Sequence, residues 1–296
     1  MTKSKSSPTP SISSSAMLVS ANFKMLGVFR KDIEATDHVN SHYESKGEVA
    51  SVTKQLFSPR HLKHIKSVRT SIGEYIWRHT LPWSEDGKRL LPADIFDDFQ
   101  AKMEDFKHQW RVEVDDFMRR WDDMMYEAAS EAGKMFDKND YPSAEDAKKK
   151  FGFSISFMKV PDKKDFRIDI ISKAAQAKIR KDIEAQVQGE VVAGKREILE
   201  RIQYNMQHLA SVLSDDKKQF RKSALQNAKE MSKLLKGLNI TNDPAITDLE
   251  KTTTKMLDTL DADELLEKGK DEQKKAAEKV NESLGKIEQT ASAIFG

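Results

Sequence analysis

The sequence predicts an α+β protein that is predominantly α, a bundle of long helices and coiled-coil hairpins with a small, mostly antiparallel β-sheet. Three observations predict it. Apolar residues recur at spacings of 3 and 4 through Phe96, Phe99, Met103, Phe106, Trp110, Val114, Phe117, Trp121 and Met124, the seam of a helix that buries one face. Two segments, 17–23 and 151–158, alternate with period two instead. From residue 172 onward the helical period is almost unbroken. A hydrophobic fraction of 38% beside 33% charged residues suits helices with a narrow apolar stripe.

The elements follow in order. Residues 17–23 place Met17, Val19, Ala21 and Phe23 on one side of a strand. A polar helix is expected over 30–44 and a second strand over 49–57. Ser58 and Pro59 supply the cap and first residue of a helix reaching about His79. Thr80 to Trp83 stop it, a turn follows through Gly87, and Pro92 to Asp94 open the aromatic helix, expected to run to about Ala132. The connection is short, which predicts an antiparallel helical hairpin. The repeated step of four around Val114 predicts a fairly straight helix there. Ser143 with Asp146 forms a capping box. Phe151, Phe153, Ile155 and Phe157 then line one strand face, and alternation resumes over 166–170, which predicts a β-hairpin. Beyond it, one helix is expected over 172–213, a second capped by Ser214-Asp215-Asp216 and ending near Gly237, a third from Asp243-Pro244, and a last over 261–295.

The domain reading is a disordered Ser/Pro tail over 1–16, a single α+β helical-bundle domain over 17–260 and a charged amphipathic helix over 261–296. Lys plus Arg (50) nearly balances Asp plus Glu (48), so net charge selects no partner. Cysteine is absent, which excludes disulfides and thiolate metal sites. No apolar run approaches the roughly 18 residues of a membrane span, and the N-terminal residues carry no apolar signal core. A cytoplasmic protein without a membrane partner is expected.

Two surfaces carry functional expectations. Over 54–78 six Lys/Arg face one acid, Glu74. Leu62, Ile65, Val68, Ile72 and Ile76 share one helical face; Arg60, Lys63, Lys66, Trp77 and Arg78 point largely the other way. Cations interleaved with an exposed aromatic fit phosphate contact and base stacking. Against that, residues 94–123 carry ten Asp/Glu and five Lys/Arg, so the two helices are expected to neutralise each other in part. The second surface is the thin stripe Val280, Leu284, Ile287, Ala291 and Ile294 on the last helix, which suits a partner helix. His38 with His42, and His61 with His64, share helical faces but lack the further ligands zinc needs. Asp115-Asp116 and Asp122-Asp123 flank Arg119 and Arg120 at salt-bridging spacing. No phosphate-binding glycine loop, nucleophile elbow or zinc motif occurs, so no catalytic residue, cofactor or metal is assigned and no enzyme is expected.

Several segments carry a resemblance together: Thr80 to Trp83 with Asp86-Gly87 and Arg89 to Pro92, Asp140 to Ser143, Phe153 to Phe157 through Val160-Pro161, Asp165 to Asp169, and Leu238 to Thr241 with Asp243-Pro244. In this order, over roughly 17–260, the chain resembles a family of phage and prophage proteins known as domain of unknown function thirty-one-fifty. The resemblance implies genes lying beside a MoxR-like AAA+ ATPase and a CobT-type, von Willebrand A-like protein. It thereby implies an accessory role. The expected function is a non-catalytic adaptor or scaffold in the host cytoplasm, holding such an ATPase module or self-associating. The alternative is a nucleic-acid-binding accessory in phage replication, recombination or counter-defence.

Overall fold

The computed structural model of the protein describes residues 12–47, 49–83, 87–164 and 172–295. A helical turn, α1 (Ile12–Ser15), leads into β1 (Ala16–Lys24); β2 (Phe29–Lys31), α2 (Ile33–His42) and β3 (Thr53–Gln55) follow. A 3-10 turn at Pro59–Leu62 opens α3 (Lys63–His79), then come β4 (Leu81–Pro82) and β5 (Arg89–Pro92). The aromatic seam is carried by α4 (Phe96–Arg119) and α5 (Trp121–Ala132), and α6 (Ala144–Lys149) precedes β6 (Gly152–Lys159). The rest is helical: α7 (Lys173–Ser214), α8 (Lys222–Leu238), α9 (Pro244–Asp258), α10 (Ala262–Glu267) and α11 (Gly269–Phe295). The protein is thus α+β and predominantly α.

The sheet differs in membership from the sequence expectation. Its order is β4-β5-β1-β6, and β2 with β3 forms a separate two-stranded ribbon. β5 runs antiparallel to both neighbours, with Leu18 and Leu81 each opposite Leu90. The segment expected only to stop a helix and turn therefore supplies two strands. Pro82 and Pro92 sit at strand ends, where a missing N–H costs no ladder bond, and Leu81, Leu90 and Leu91 are buried. The strand expected over 49–57 contracts to β3, which pairs with β2 through Arg30 opposite Lys54. The expected second arm of the hairpin, 166–170, lies outside the described residues.

The seam is buried from Phe99 through Met124, but the helix is not continuous. At Arg120 the N–H bonds back three residues to Phe117 (3.2 Å), a single 3-10 turn between α4 and α5. Arg119 and Arg120 both reach Asp116 there, at 2.7 and 3.2 Å. Phe117, Trp121 and Met124 stay inside across the break, so the apolar period survives it.

The chain divides into two compact units. One holds described residues 12–20, 76–99 and 157–295, the other 21–75 and 100–156; the division falls inside β1, α3, α4 and β6. In the first, α7, α8, α9 and α11 close around Ile198, Ile202, Leu209, Leu235, Ile246, Val280 and their neighbours. Fully burying each such side chain is worth about 1.5–3 kcal/mol. α7 runs 42 residues from its Ser172 cap, which accepts from the Ala175 amide, and its buried positions begin at Val191. Gly194 is one of them. A Cβ there would lie 3.2 Å from Leu81 Cδ1, so glycine lets β4 press onto α7. In the second unit Phe57 packs on Trp121 and Tyr141, Phe117 on Trp121 and Phe151, and Tyr75 on Phe106.

Asp243 illustrates how the helix starts are held. It caps α9 by accepting from the Ala245 amide (3.0 Å) and takes a hydrogen bond from Lys195 Nζ on α7 (2.6 Å). Burial raises its pKa, but the Lys195 and backbone hydrogen bonds outweigh burial and hold the carboxyl below its usual value. A depressed folded pKa contributes stability above the unfolded pKa and loses it as pH falls through the folded one. Asp243→Asn keeps the cap and removes the charge. It is expected to cost about 1 kcal/mol at pH 7, a deficit that shrinks as pH falls below about 4. Urea denaturation at pH 7 and pH 3 reads both; an equal deficit at the two values would refute the charge contribution.

Candidate functional site

The five residues of the expected nucleic-acid surface fall in two different units. Arg60, Lys63 and Lys66 belong to the second unit, Trp77 and Arg78 to the first. In the second unit Arg60 ion-pairs with Glu127 of α5, whose other oxygen lies 3.1 Å from His61 Nε2. Burial first, then the charges of Arg60 and Arg120, hold the His61 pKa below its ordinary value. Lys63 and Lys66 are exposed, and among the described residues no carboxylate pairs with either. The neutralisation expected from residues 94–123 does not reach this part of the chain: Arg60 is paired by Glu127, outside that segment, and among the described residues no carboxylate pairs with the two lysines.

Lys54, counted with the same basic run, has a different task. It lies between Asp32 (3.1 Å) and Asp140 and donates to the Met135 carbonyl (3.3 Å). The hydrogen bond to Asp140 raises its pKa against the opposing effect of burial, with Asp32 adding to the rise. This ammonium ties α2, β3 and the segment after α5 together.

In the first unit Trp77 is 46% exposed, and the guanidinium of Arg201 lies 4.0 Å from its ring centroid. Arg201 is 3% exposed and donates to the carbonyls of Thr80 (3.0 Å) and Arg78 (3.4 Å) and to Glu197. Arg89 reaches the same Glu197 at 3.3 Å and the Thr80 hydroxyl at 2.7 Å. Two guanidiniums thus share one carboxylate at the C-terminal end of α3, where exposed carbonyls favour positive charge. Arg78 points to Glu230 at 3.5 Å. One face of Trp77 is therefore already stacked within the chain.

The second expected surface is also occupied. Val280, Leu284 and Ile287 are buried and Ala291 and Ile294 half-buried in the core that α11 shares with α7 and α9. The stripe closes this chain's own bundle. Of the two acidic pairs, Asp115-Asp116 is engaged, whereas Asp122 and Asp123 are exposed. Asp115 binds Lys148 at 2.8 Å and Asp116 binds Arg119, and these hydrogen bonds hold both carboxyls below the usual pKa. Among the described residues no three His, Asp or Glu side chains converge with metal-binding geometry. No helix among them is long and apolar enough to cross a membrane.

What sequence reasoning missed is an open groove of about 610 Å³ in the second unit. The start of α2, β3 and Met135-Phe136 wall it, with Ile33, Val39 and Val52 contributing apolar surface. Ile33 is 69% exposed, Met135 48% and Phe29, on the adjoining ribbon, 58%. The volume lies in the range of ligand and side-chain recognition sites. Ile33 and Met135 are far apart in sequence and carry no shared motif, so no pattern announced it.

Long helices and a small antiparallel sheet define a helix-dominated α+β protein. The chain belongs to the family described as "Protein of unknown function (DUF3150)", whose model matches residues 15–279. The match runs from β1 into the first part of α11, further than the 17–260 of the motif resemblance. No curated protein and no solved structure matches the chain.

Proposed function

We propose that the protein is a non-catalytic phage accessory, an adaptor that holds a AAA+ ATPase module, or a second copy of itself, in the host cytoplasm. The open groove carries this reading. Exposed Ile33 and Met135 lining one concavity present apolar side chains that a protein partner would cover, and Met135 lends the surface adaptable packing. Tagged protein recovered from infected cells, with and without nuclease, tests it by mass spectrometry. Retention of a AAA+ ATPase or of untagged copies after nuclease supports the adaptor, and Ile33→Asp with Met135→Asp should abolish that retention. A partner held equally well by this variant would overturn the assignment of the groove.

A second reading, nucleic-acid binding, is favoured by one observation: Lys63 and Lys66 are exposed without carboxylate partners. Lys63→Ala with Lys66→Ala should weaken binding of a labelled oligonucleotide and make its log–log salt slope shallower by about 1.4–1.8, for two lost phosphate contacts. An unchanged slope would remove the two lysines from the interface.

A further inference from the structure

A second cleft in the same unit, about 380 Å³, runs beside α4 and the start of β6. Its floor is aromatic. Phe153 stacks on Phe23 with ring centroids 5.0 Å apart and planes 13° from parallel. Trp110 tilts against both, at 6.2 Å from Phe153 and 5.7 Å from Phe23. The Arg69 guanidinium lies over Phe23, 5.3 Å from its centroid. Phe153 is half-buried: Phe23 covers one side, and the ring also lines the cleft.

The rim is cationic. Lys107, Arg111 and Lys148 line it against Glu104 and Asp115. Lys107 pairs with Glu104 at 2.6 Å, Lys148 with Asp115 at 2.8 Å, and Arg111, among the described residues, donates to the Lys107 carbonyl at 3.3 Å. Lys150, two residues on from Lys148, is exposed. Ion pairs this accessible are weak and exchange readily for another anion. The local sequence Lys148-Lys149-Lys150-Phe151-Gly152-Phe153 thus delivers cations and then rings to one place.

We propose that this cleft takes an unpaired base of a single-stranded nucleic acid, stacked on Phe153 above the buried Trp110, with the flanking phosphates on Arg111 and Lys148. The proposal rests on the nucleic-acid reading above and gives it a strand type and a second contact point. A base inside a duplex cannot present its face to a ring, whereas every unpaired base can. The experiment is fluorescence anisotropy of a labelled 20-nucleotide oligo-dT and of a 20-base-pair duplex, on the full chain at low salt. Oligo-dT is expected to bind more tightly than the duplex. Phe153→Leu, which keeps an apolar side chain against Phe23, should weaken it about tenfold. Arg111→Ala with Lys148→Ala, both on the surface, should weaken it severalfold and flatten its salt dependence. If Phe153→Leu unfolds, the surface pair decides. No binding by the unaltered protein would overturn the nucleic-acid reading and this proposal together. Binding lowered by Lys63→Ala with Lys66→Ala but not by the cleft variants would overturn the cleft alone, as would a preference for duplex.

Discussion

Glu197→Ala is expected to destabilise the protein by about 3–5 kcal/mol, the cost of leaving buried charge without its counter-ion. Arg201 and Arg89 both depend on this carboxylate, and Arg201 is held against the backbone of Arg78 and Thr80 with Trp77 over it. The loss is not the net worth of the ion pair. Much of it is the penalty of the stranded guanidinium, so removing both partners should be milder. Glu197→Leu with Arg201→Met is expected to stand closer to the unaltered protein than Glu197→Ala alone. Urea denaturation of the three variants measures this. A Glu197→Ala loss below about 1 kcal/mol would mean that water satisfies Arg201 once the carboxylate is gone.

Phe117→Ala should cost a similar amount, about 3–5 kcal/mol, for a different reason. Phe117 is buried, 6.1 Å from Trp121 and 5.2 Å from Phe151 between ring centroids. Removing the ring forfeits its transfer free energy and leaves a cavity that large, stiff neighbours fill poorly. Its position next to the 3-10 turn at Arg120 adds a consequence: Phe117 holds both flanking helices to one core. Phe117→Leu should recover more than half of the loss. Equal losses for alanine and leucine would point to the ring–ring contacts rather than volume.

Much of this fold was legible in the sequence, and the reasons are local. The 3- and 4-residue spacing from Phe99 to Met124 marked a seam that is buried throughout. Ser172, Asp243 and Asp261 sit where caps were needed, and each accepts backbone N–H groups of the helix it starts. Short elements held together by long-range partners were not legible. β4 and β5 are two and four residues long and end in proline, so only pairing with β1 distinguishes them from a turn. The stripe on α11 shows the other limit. Periodicity reports that Val280, Leu284 and Ile287 are covered and says nothing of which helix covers them. The charge run failed similarly: Lys54 and Lys63 look alike in sequence, yet one is held between Asp32 and Asp140 and the other faces solvent. The groove at Ile33 and Met135 had no sequence signature, whereas Lys148 to Phe153, basic residues followed by spaced rings, carried one that periodicity alone assigned to a strand.

The order in which the two units complete themselves has a consequence for synthesis. The segments of the second unit end at residue 156, while the first needs α11, which finishes at Phe295. A chain emerging from the ribosome therefore has every residue of the aromatic unit at hand about 139 residues (295 − 156) before the helix that seals the other core is complete. During that interval the apolar faces of α7, α8 and α9 wait for α11 in a nascent chain. Loss of the last helix would leave Leu209, Leu249 and Ile246 in a bundle without its closing wall, an aggregation hazard from which the earlier unit is spared.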